Sequence, residues 1–434
     1  MSGKNQNGWS FARPTPEMNR SGMNSLEKFK NQLVSRLATK PLPDIPGLVD
    51  DLLELAVSCQ ASDLHLTPFT GSGLRLELRI DGVLHPQLDL PQDISAQVVA
   101  RIKVLAGLLT YRTEIPQEGR IPPDPARQRP EVRVSTFPTL SGERAALRFL
   151  TNTDSRRNFA DLGLPDFAKQ KLSHFISDTS GMVIIAGPAG SGKTTTLYAC
   201  LREIIQNAAG SRCLISLEDP VESAIEGVAQ TSLDRRAGLG LAKLVKAVMR
   251  QDPDVIAIGE IRDRATARSA FQATLTGHLV LTTTHAGDCV EVITRLLDMK
   301  IPPYVLRSSF RGIMAQRLLR RLCPECRSRK SNAENAQNLV FNELTEYYQA
   351  GNGPCSACSG TGYQGRVLVV QWLDFGLDEL SVAIQNRVDA RSMRRIIAAA
   401  GVKSLRENAI ELVRQGLTTP AEMVRAFGIQ PSSE

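Results

Sequence analysis

Aromatic side chains are scarce. Thirteen Phe, six Tyr and two Trp make up 5% of the 434 residues, too few to interleave with the basic residues as the stacking platform of a single-stranded nucleic-acid channel. No stretch approaches the roughly 18 consecutive apolar residues that a membrane span requires. The opening MSGKNQNGWSFARPTPEMNR holds no apolar core of a secretory signal, so a cytosolic location is expected. Eight cysteines in so long a chain exclude a small disulfide scaffold. Internal repeats and low-complexity segments are missing too. What remains, 42% hydrophobic and 22% charged, is ordinary for a soluble globular protein with room for two or three domains. The net charge of +7 favours anionic partners: nucleic acid, acidic lipid or an acidic protein face. Between Arg307 and Lys330 eight Arg or Lys stand against the single acid Glu325; the plain reading of that run is a solvated basic helix face.

Residues 1–45 carry Gly, Asn, Ser and Pro with little apolar periodicity and read as a flexible tail. Over 46–150 a small α+β domain is expected. Leu74, Leu76, Leu78 and Ile80 alternate with polar residues ahead of an Asp81-Gly82 hairpin turn, and Val132 and Val134 alternate ahead of Ser141-Gly142. In the strand that follows, the even spacing of Arg144 and Arg148 puts two cations on one face. The polar stretch 151–165 reads as a linker. Beyond it, MVIIA at 182–186 is a buried strand leading through a Gly-rich turn into a helix, and CLISL, VIAI and LVLTT at 213–217, 255–258 and 279–283 are further buried strands. Together they predict a mostly parallel α/β sheet over 166–434. Near the C-terminus Thr419, Pro420 and Glu422 have the spacing of a helix cap.

Between the first of these strands and its helix lies Gly187-Pro-Ala-Gly190-Ser191-Gly192-Lys193-Thr194-Thr195, a G-x-x-x-x-G-K-[ST] phosphate loop in the strand-turn-helix context that it needs. Glycines there let backbone N–H groups converge on phosphates at a helix N-terminus. Lys193 would reach the β and γ phosphates of ATP, and the Thr194 hydroxyl would hold Mg²⁺. Hydrolysis also needs a carboxylate near the attacking water. Glu260 follows the strand VIAI and Glu218 and Asp219 end the strand before it, at the strand C-termini where ligands gather in parallel sheets. Glu260 is favoured for Mg²⁺ and water positioning, with Glu218 as the rival base.

The order of segments resembles the secretion and pilus-assembly ATPases: SLEDPVE an Asp box, RQDPDVIAIGEIRD a Walker B segment, TLTGHLVLTTTHAGD a His box, with SDLHLTP, RIDGVL, PQEGRI and VRVSTFPTLSGERAALRFL upstream and CPEC, CSACSGTGYQGR and GLTTPAEM downstream. The resemblance runs from residue 60 to about 428. It implies a RecA-like P-loop NTPase domain preceded by the small α+β domain, a hexameric ring, and ATP bound between the two domains. By position it makes Arg133 and Arg148 the arginines that approach the phosphates, with Arg144 less well matched, and His278 and His285 a nucleotide sensor or a coupling to the next subunit. Such motors act at the cytoplasmic face of the inner membrane on its platform and cytoplasmic-domain proteins, and anionic lipid is a possible further partner.

Cys323-x-x-Cys326 and Cys355-x-x-Cys358, with 28 residues between the pairs, offer the four thiolates of a closed tetrahedral Zn²⁺ site; the resemblance makes 320–368 the family's zinc-binding insertion. Cys59, Cys200, Cys213 and Cys289 read as core thiols. Two departures stand out. TTTH replaces the usual STLH, and about 45 polar residues stand where many family members carry a docking domain, which makes a pilus, plasmid-borne or minor secretion system as plausible as a main type II exporter. Two other functions compete: a nucleic-acid-translocating ATPase of conjugation or DNA uptake, which the basic charge supports and the few aromatics oppose, and a nucleotide-gated scaffold without turnover.

Overall fold

The structure is a computed structural model that describes residues 44–69, 73–150, 157–208, 210–233, 240–331, 346–353, 355, 357–358, 360–376 and 378–428. Nearly all of the expected tail and residues 151–156 of the expected linker lie outside this set. Two compact units emerge. The first runs through Asn152 and takes in Arg320–Ser328 and Gln349–Gly365; the second holds Thr153–Leu319, Arg329–Tyr348 and Arg366–Glu434.

The first unit is built on a six-stranded sheet, ordered β3-β2-β1-β6-β5-β4 and antiparallel at every pairing. The strands are β1 (Asp63–Phe69), β2 (Gly73–Ile80), β3 (Val83–Leu90), β4 (Gln117–Ile121), β5 (Val132–Thr139) and β6 (Gly142–Phe149). The expected alternation is real: Leu74, Leu76 and Leu78 go to the core with Val132 and Val134, against helices α1 (Ile45–Ser58) and α2 (Gln92–Leu105). Asp81 and Gly82 turn the β2–β3 hairpin with φ of 48° and 83°, a two-residue turn whose positive φ values suit Asp-Gly.

The second unit carries a seven-stranded sheet ordered β15-β12-β7-β11-β10-β8-β9. Its centre is β7 (Gly181–Ala186), β8 (Leu214–Glu218), β10 (Val255–Ile258) and β11 (Leu279–Thr284), every residue of them buried. These strands run parallel, and burial on both faces is why they read as continuous apolar runs. Each is followed by a helix or loop at its C-terminal end: α4 (Lys193–Ala208) after β7, α6 (Arg264–Leu275) after β10 and α7 (Cys289–Asp298) after β11, with α3 (Asp166–Ser177) ahead of β7 and α5 (Leu241–Val248) ahead of β10. Beyond the sheet's β9 (Val228–Ser232), β12 (Phe310–Leu322) and β15 (Tyr363–Asp374), helices α8 (Pro303–Ser309), α9 (Asp378–Gln385), α10 (Ala390–Ala399), α11 (Leu405–Arg414) and α12 (Pro420–Phe427) complete the unit. Between β12 and β15, β13 (Ser328–Ser331) and β14 (Glu346–Gln349) pair as a two-stranded sheet. Thr419 caps α12, its hydroxyl accepting from the Glu422 amide at 3.1 Å.

Two expectations change. The basic run from Arg307 is in large part a strand, β12, parallel to β7; its Ile313, Met314 and Ala315 are fully buried beside the phosphate-loop strand, and that burial overrides the charge pattern. Within the expected linker, Phe159–Leu162 forms one 3₁₀ turn that buries Phe159 and Leu162 in the same cluster as Leu197 and Leu201 of α4. Two apolar residues three apart share a face of a 3₁₀ turn, and that pairing sufficed.

Candidate functional site

Level strand ends create the site. Thr284 of β11 pairs with Ala186 of β7, and Ile258 of β10 pairs with Thr282 and with Leu217 of β8. The residues just past these ends, the 187–192 loop, His285, Glu260 and Glu218, therefore line one edge of the sheet in neighbouring positions. Gly187, Gly190 and Gly192 take φ of 156°, 73° and 87°. A Cβ on Gly187 would stand 2.5 Å from the Gln316 carbonyl oxygen, so that position is restricted to glycine twice over. Gln316, wholly buried on β12, braces the loop by donating to the Ser191 carbonyl at 2.7 Å and accepting from the Thr196 hydroxyl at 3.1 Å.

Lys193 opens α4. Its Nζ donates to the carbonyls of Gly187 and Pro188 at 2.9 and 3.0 Å and lies 3.4 Å from His285 Nδ1. Burial pushes the ammonium's pKa down, and the charges of Glu260 and Glu222 oppose that shift. Among the described residues no carboxylate pairs with it directly, so the cation is held by neutral acceptors that an incoming phosphate can replace. Ser191 Oγ, in the same loop, is buried without a hydrogen-bond partner, a polar group left for a ligand to satisfy. Thr194 and Thr195 follow on α4, half-buried.

Glu260 continues the line. One oxygen lies 3.4 Å from His285 Nε2 and the other accepts from Arg262 Nε at 2.8 Å. A ring nitrogen facing an ammonium can only accept, so neutral His285 carries its proton on Nε2, where Glu260 receives it. Lysine, imidazole and carboxylate thus form one chain across the ends of β7, β11 and β10. Glu218 differs. It is 4% exposed and accepts from Ser216 Oγ at 2.6 Å, from Gln230 Nε2 at 3.1 Å and from the Tyr198 hydroxyl. Three protein donors thus occupy its two oxygens.

The remaining expected residues are elsewhere. His278 precedes β11 and bonds to the Ala273 carbonyl and Thr276 hydroxyl at 2.9 and 3.1 Å. Seven residues of extended chain, roughly 23 Å at about 3.3 Å each, separate it from His285. Arg133 and Arg148 sit in the first unit, directly opposite each other on β5 and β6. Arg148 donates to Asp63 Oδ1 at 2.9 Å, while Arg144 meets His65 Nδ1 at 3.2 Å, so the Asp and His of SDLHL serve the two arginines. Sequence reasoning passed over Asp63, Tyr198, Glu222, Arg262 and Gln316. Asp63, Glu222 and Arg262 stood inside quoted motifs; Tyr198 and Gln316 act through contacts that no local pattern announces.

The four cysteines converge within the first unit. Their sulfurs all lie within 4.8 Å of one another, with Cys323–Cys355 at 3.8 Å and Cys326–Cys358 at 3.6 Å. A tetrahedron with Zn–S bonds of about 2.3 Å has sulfur–sulfur edges of about 3.8 Å, whereas a disulfide would need about 2.05 Å. The donor set therefore fits Zn²⁺. The Gly362 amide donates to Cys358 Sγ at 3.2 Å, as thiolate sites often require. Gly351 lets the chain pass Cys326, whose carbonyl oxygen would be 2.2 Å from a Cβ there.

A glycine cradle at a helix start, with lysine, imidazole and carboxylate linked across adjacent parallel strand ends, is the constellation of a P-loop nucleoside triphosphatase. The chain belongs to the type II/IV secretion system protein family, whose profile matches residues 40–425. It is 38% identical over 388 residues to the putative type II secretion system protein E of Escherichia coli K12, covering 89% of this chain and 78% of that one. With the type IV pilus assembly ATPase TfpB of Acinetobacter baylyi it shares 35% identity over 389 residues, 88% of this chain and 65% of the relative. The fold matches the Legionella pneumophila ATPase DotB with a TM-score of 0.64 at 21% identity, over 90% of this chain and 98% of that one. The chain is an ATP-hydrolysing enzyme of this family.

Proposed function

We propose that the protein is the cytoplasmic, hexameric motor of a type II secretion or type IV pilus machine, docked at the inner membrane on platform and cytoplasmic-domain proteins, where ATP hydrolysis drives pilus or pseudopilus assembly. The observation that carries the reading is the Lys193–His285–Glu260 chain at the phosphate loop, joined to relatives named for secretion and for pilus assembly. Among the described residues no helix is long and apolar enough to cross a membrane.

In this reading ATP replaces the carbonyl partners of Lys193 with its β and γ phosphates, under the backbone N–H groups of 189–192. Thr194 would hold Mg²⁺ through its hydroxyl, and the ion would neutralise charge on the transferring phosphoryl group. Glu260 orients the attacking water, and its link through His285 to Lys193 gives the enzyme a sensor: phosphate that draws Lys193 away also frees His285 Nδ1. With its oxygens occupied by Ser216, Gln230 and Tyr198, Glu218 serves as an anchor and not as the base. His278 is left for coupling to a neighbouring subunit, and Arg133 and Arg148 for phosphate charge. The tetracysteine site holds structural Zn²⁺, with no coordination position open for catalysis.

Phosphate release by wild type, Lys193→Ala and Glu260→Gln tests this. Both variants should fold, retain zinc and lose turnover by about a hundredfold or more, as removal of one preorganised group from a phosphoryl-transfer site does. Turnover undiminished in Glu260→Gln would remove Glu260 from the mechanism.

A further inference from the structure

Tyr198 is the largest fully buried side chain among the described residues, five residues into the phosphate-loop helix, and its hydroxyl is doubly engaged. It donates to Glu218 Oε2 and accepts from the Glu222 amide at 3.1 Å. The same short segment is pinned again by Gln230, whose amide oxygen accepts from the Ile225 N–H at 2.6 Å while its nitrogen donates to Glu218 and to the Ser223 carbonyl, both at 3.1 Å. These bonds converge on the last residue of β8 and on the loop that follows it. That loop carries Glu222, an exposed carboxylate whose charge reaches Lys193.

We propose that Tyr198 is a positioning residue of the ATPase site: its phenol ties the phosphate-loop helix to the Glu222 loop, so that Lys193 and Glu222, on separate elements, keep one relative placement as phosphate arrives. The role rests on the assignment of Lys193 to phosphate. A helix displaced by nucleotide drags Glu218 and the Glu222 amide with it through one side chain. Burial and the adjacent Glu218 carboxylate raise the phenol's pKa above its ordinary value, which keeps the proton in place and the oxygen's lone pair available to the amide.

The test is a double-mutant cycle of Tyr198→Phe and Glu222→Gln, read in kcat, KM for ATP and melting temperature, with Lys193→Ala alongside. Loss of an interaction tightened in the transition state lowers kcat and leaves KM near its starting value. Tyr198→Phe should therefore lower kcat about fivefold, the worth of roughly one hydrogen bond, with KM changed less than about twofold. In the Glu222→Gln background the same substitution should add little, because the two act as a unit. A Tyr198→Phe protein that melts lower yet keeps wild-type kcat, or one whose loss simply multiplies with that of Glu222→Gln, would make Tyr198 a packing residue and overturn the proposal. Should Lys193→Ala itself turn over normally, the assignment of Lys193 falls instead, a result separable from the first because Glu222→Gln and Tyr198→Phe are read independently.

Discussion

A buried histidine, His65, and a half-buried one, His85, give the first unit a pH dependence that belongs to single residues. His65 is 9% exposed, and burial followed by the neighbouring Arg144 charge lowers its pKa; burial followed by Arg320 does the same to His85. His65 accepts through Nδ1, so its proton lies on Nε2, which is buried without a partner. Between the depressed folded values and about 6.5 in the unfolded chain, the unfolded state binds more protons, so stability is complete above that range and falls as pH drops through it. Denaturant melts at pH 7.5 and 5.5 should show wild type weakening on acidification and His65→Gln weakening less; equal losses would assign the effect to other groups. The same scale shows what the sequence could disclose. Gly187 to Thr194 were legible because the loop is one local pattern with a backbone reason for each glycine. Gln316, which braces that loop from 125 positions away, was not, since its role exists only once β12 lies beside β7.

Secondary-structure elements were legible where burial was uniform and misleading where it was mixed. The runs at 182–186, 213–217, 255–258 and 279–283 became β7, β8, β10 and β11 within a residue or two. The arginine-rich β12 read as a helix face because its charges cluster, while its burial comes from two neighbours in the sheet that local pattern does not show. The cysteine knuckles show the reverse: spacing alone singled out the four cysteines whose sulfurs the fold gathers within 4.8 Å of one another. With so small an apolar cluster around them, a bound metal would supply most of that element's stability. Purified protein should carry one zinc per chain, and a strong chelator, or Cys323→Ser, should remove it and lower the melting temperature by several degrees. Identical melting with and without chelator would show that the thiols hold the element together unaided.

At the level of the whole molecule the units do not follow the order of the chain. Arg320–Ser328 and Gln349–Gly365 belong with the first unit, held there by contacts such as the Gly365 amide on Asp81 at 3.1 Å and joined to each other by Arg320 over the Tyr363 ring at 3.9 Å. A reading that moves along the sequence assigns them to the ATPase domain that surrounds them, because a chain excursion leaves no mark in composition. The net charge of +7 is also a property of the whole, and it decides between partners only by experiment. Charge attracts lipid headgroups and nucleic acid alike, and both attractions weaken with salt; a specific dock on one of them raises turnover as well as binding. Phosphate release should therefore rise on vesicles containing anionic phosphatidylglycerol at about 0.15 M salt, stay near its basal rate with single-stranded DNA, and vanish under both conditions in Glu260→Gln. Stimulation by DNA alone would turn the motor into a translocase, because a face that couples nucleic acid to hydrolysis has no use in assembling a pilus. Equal stimulation by both at low salt, lost at 0.15 M, would reduce the charge to nonspecific attraction and leave protein partners to bring the motor to the membrane.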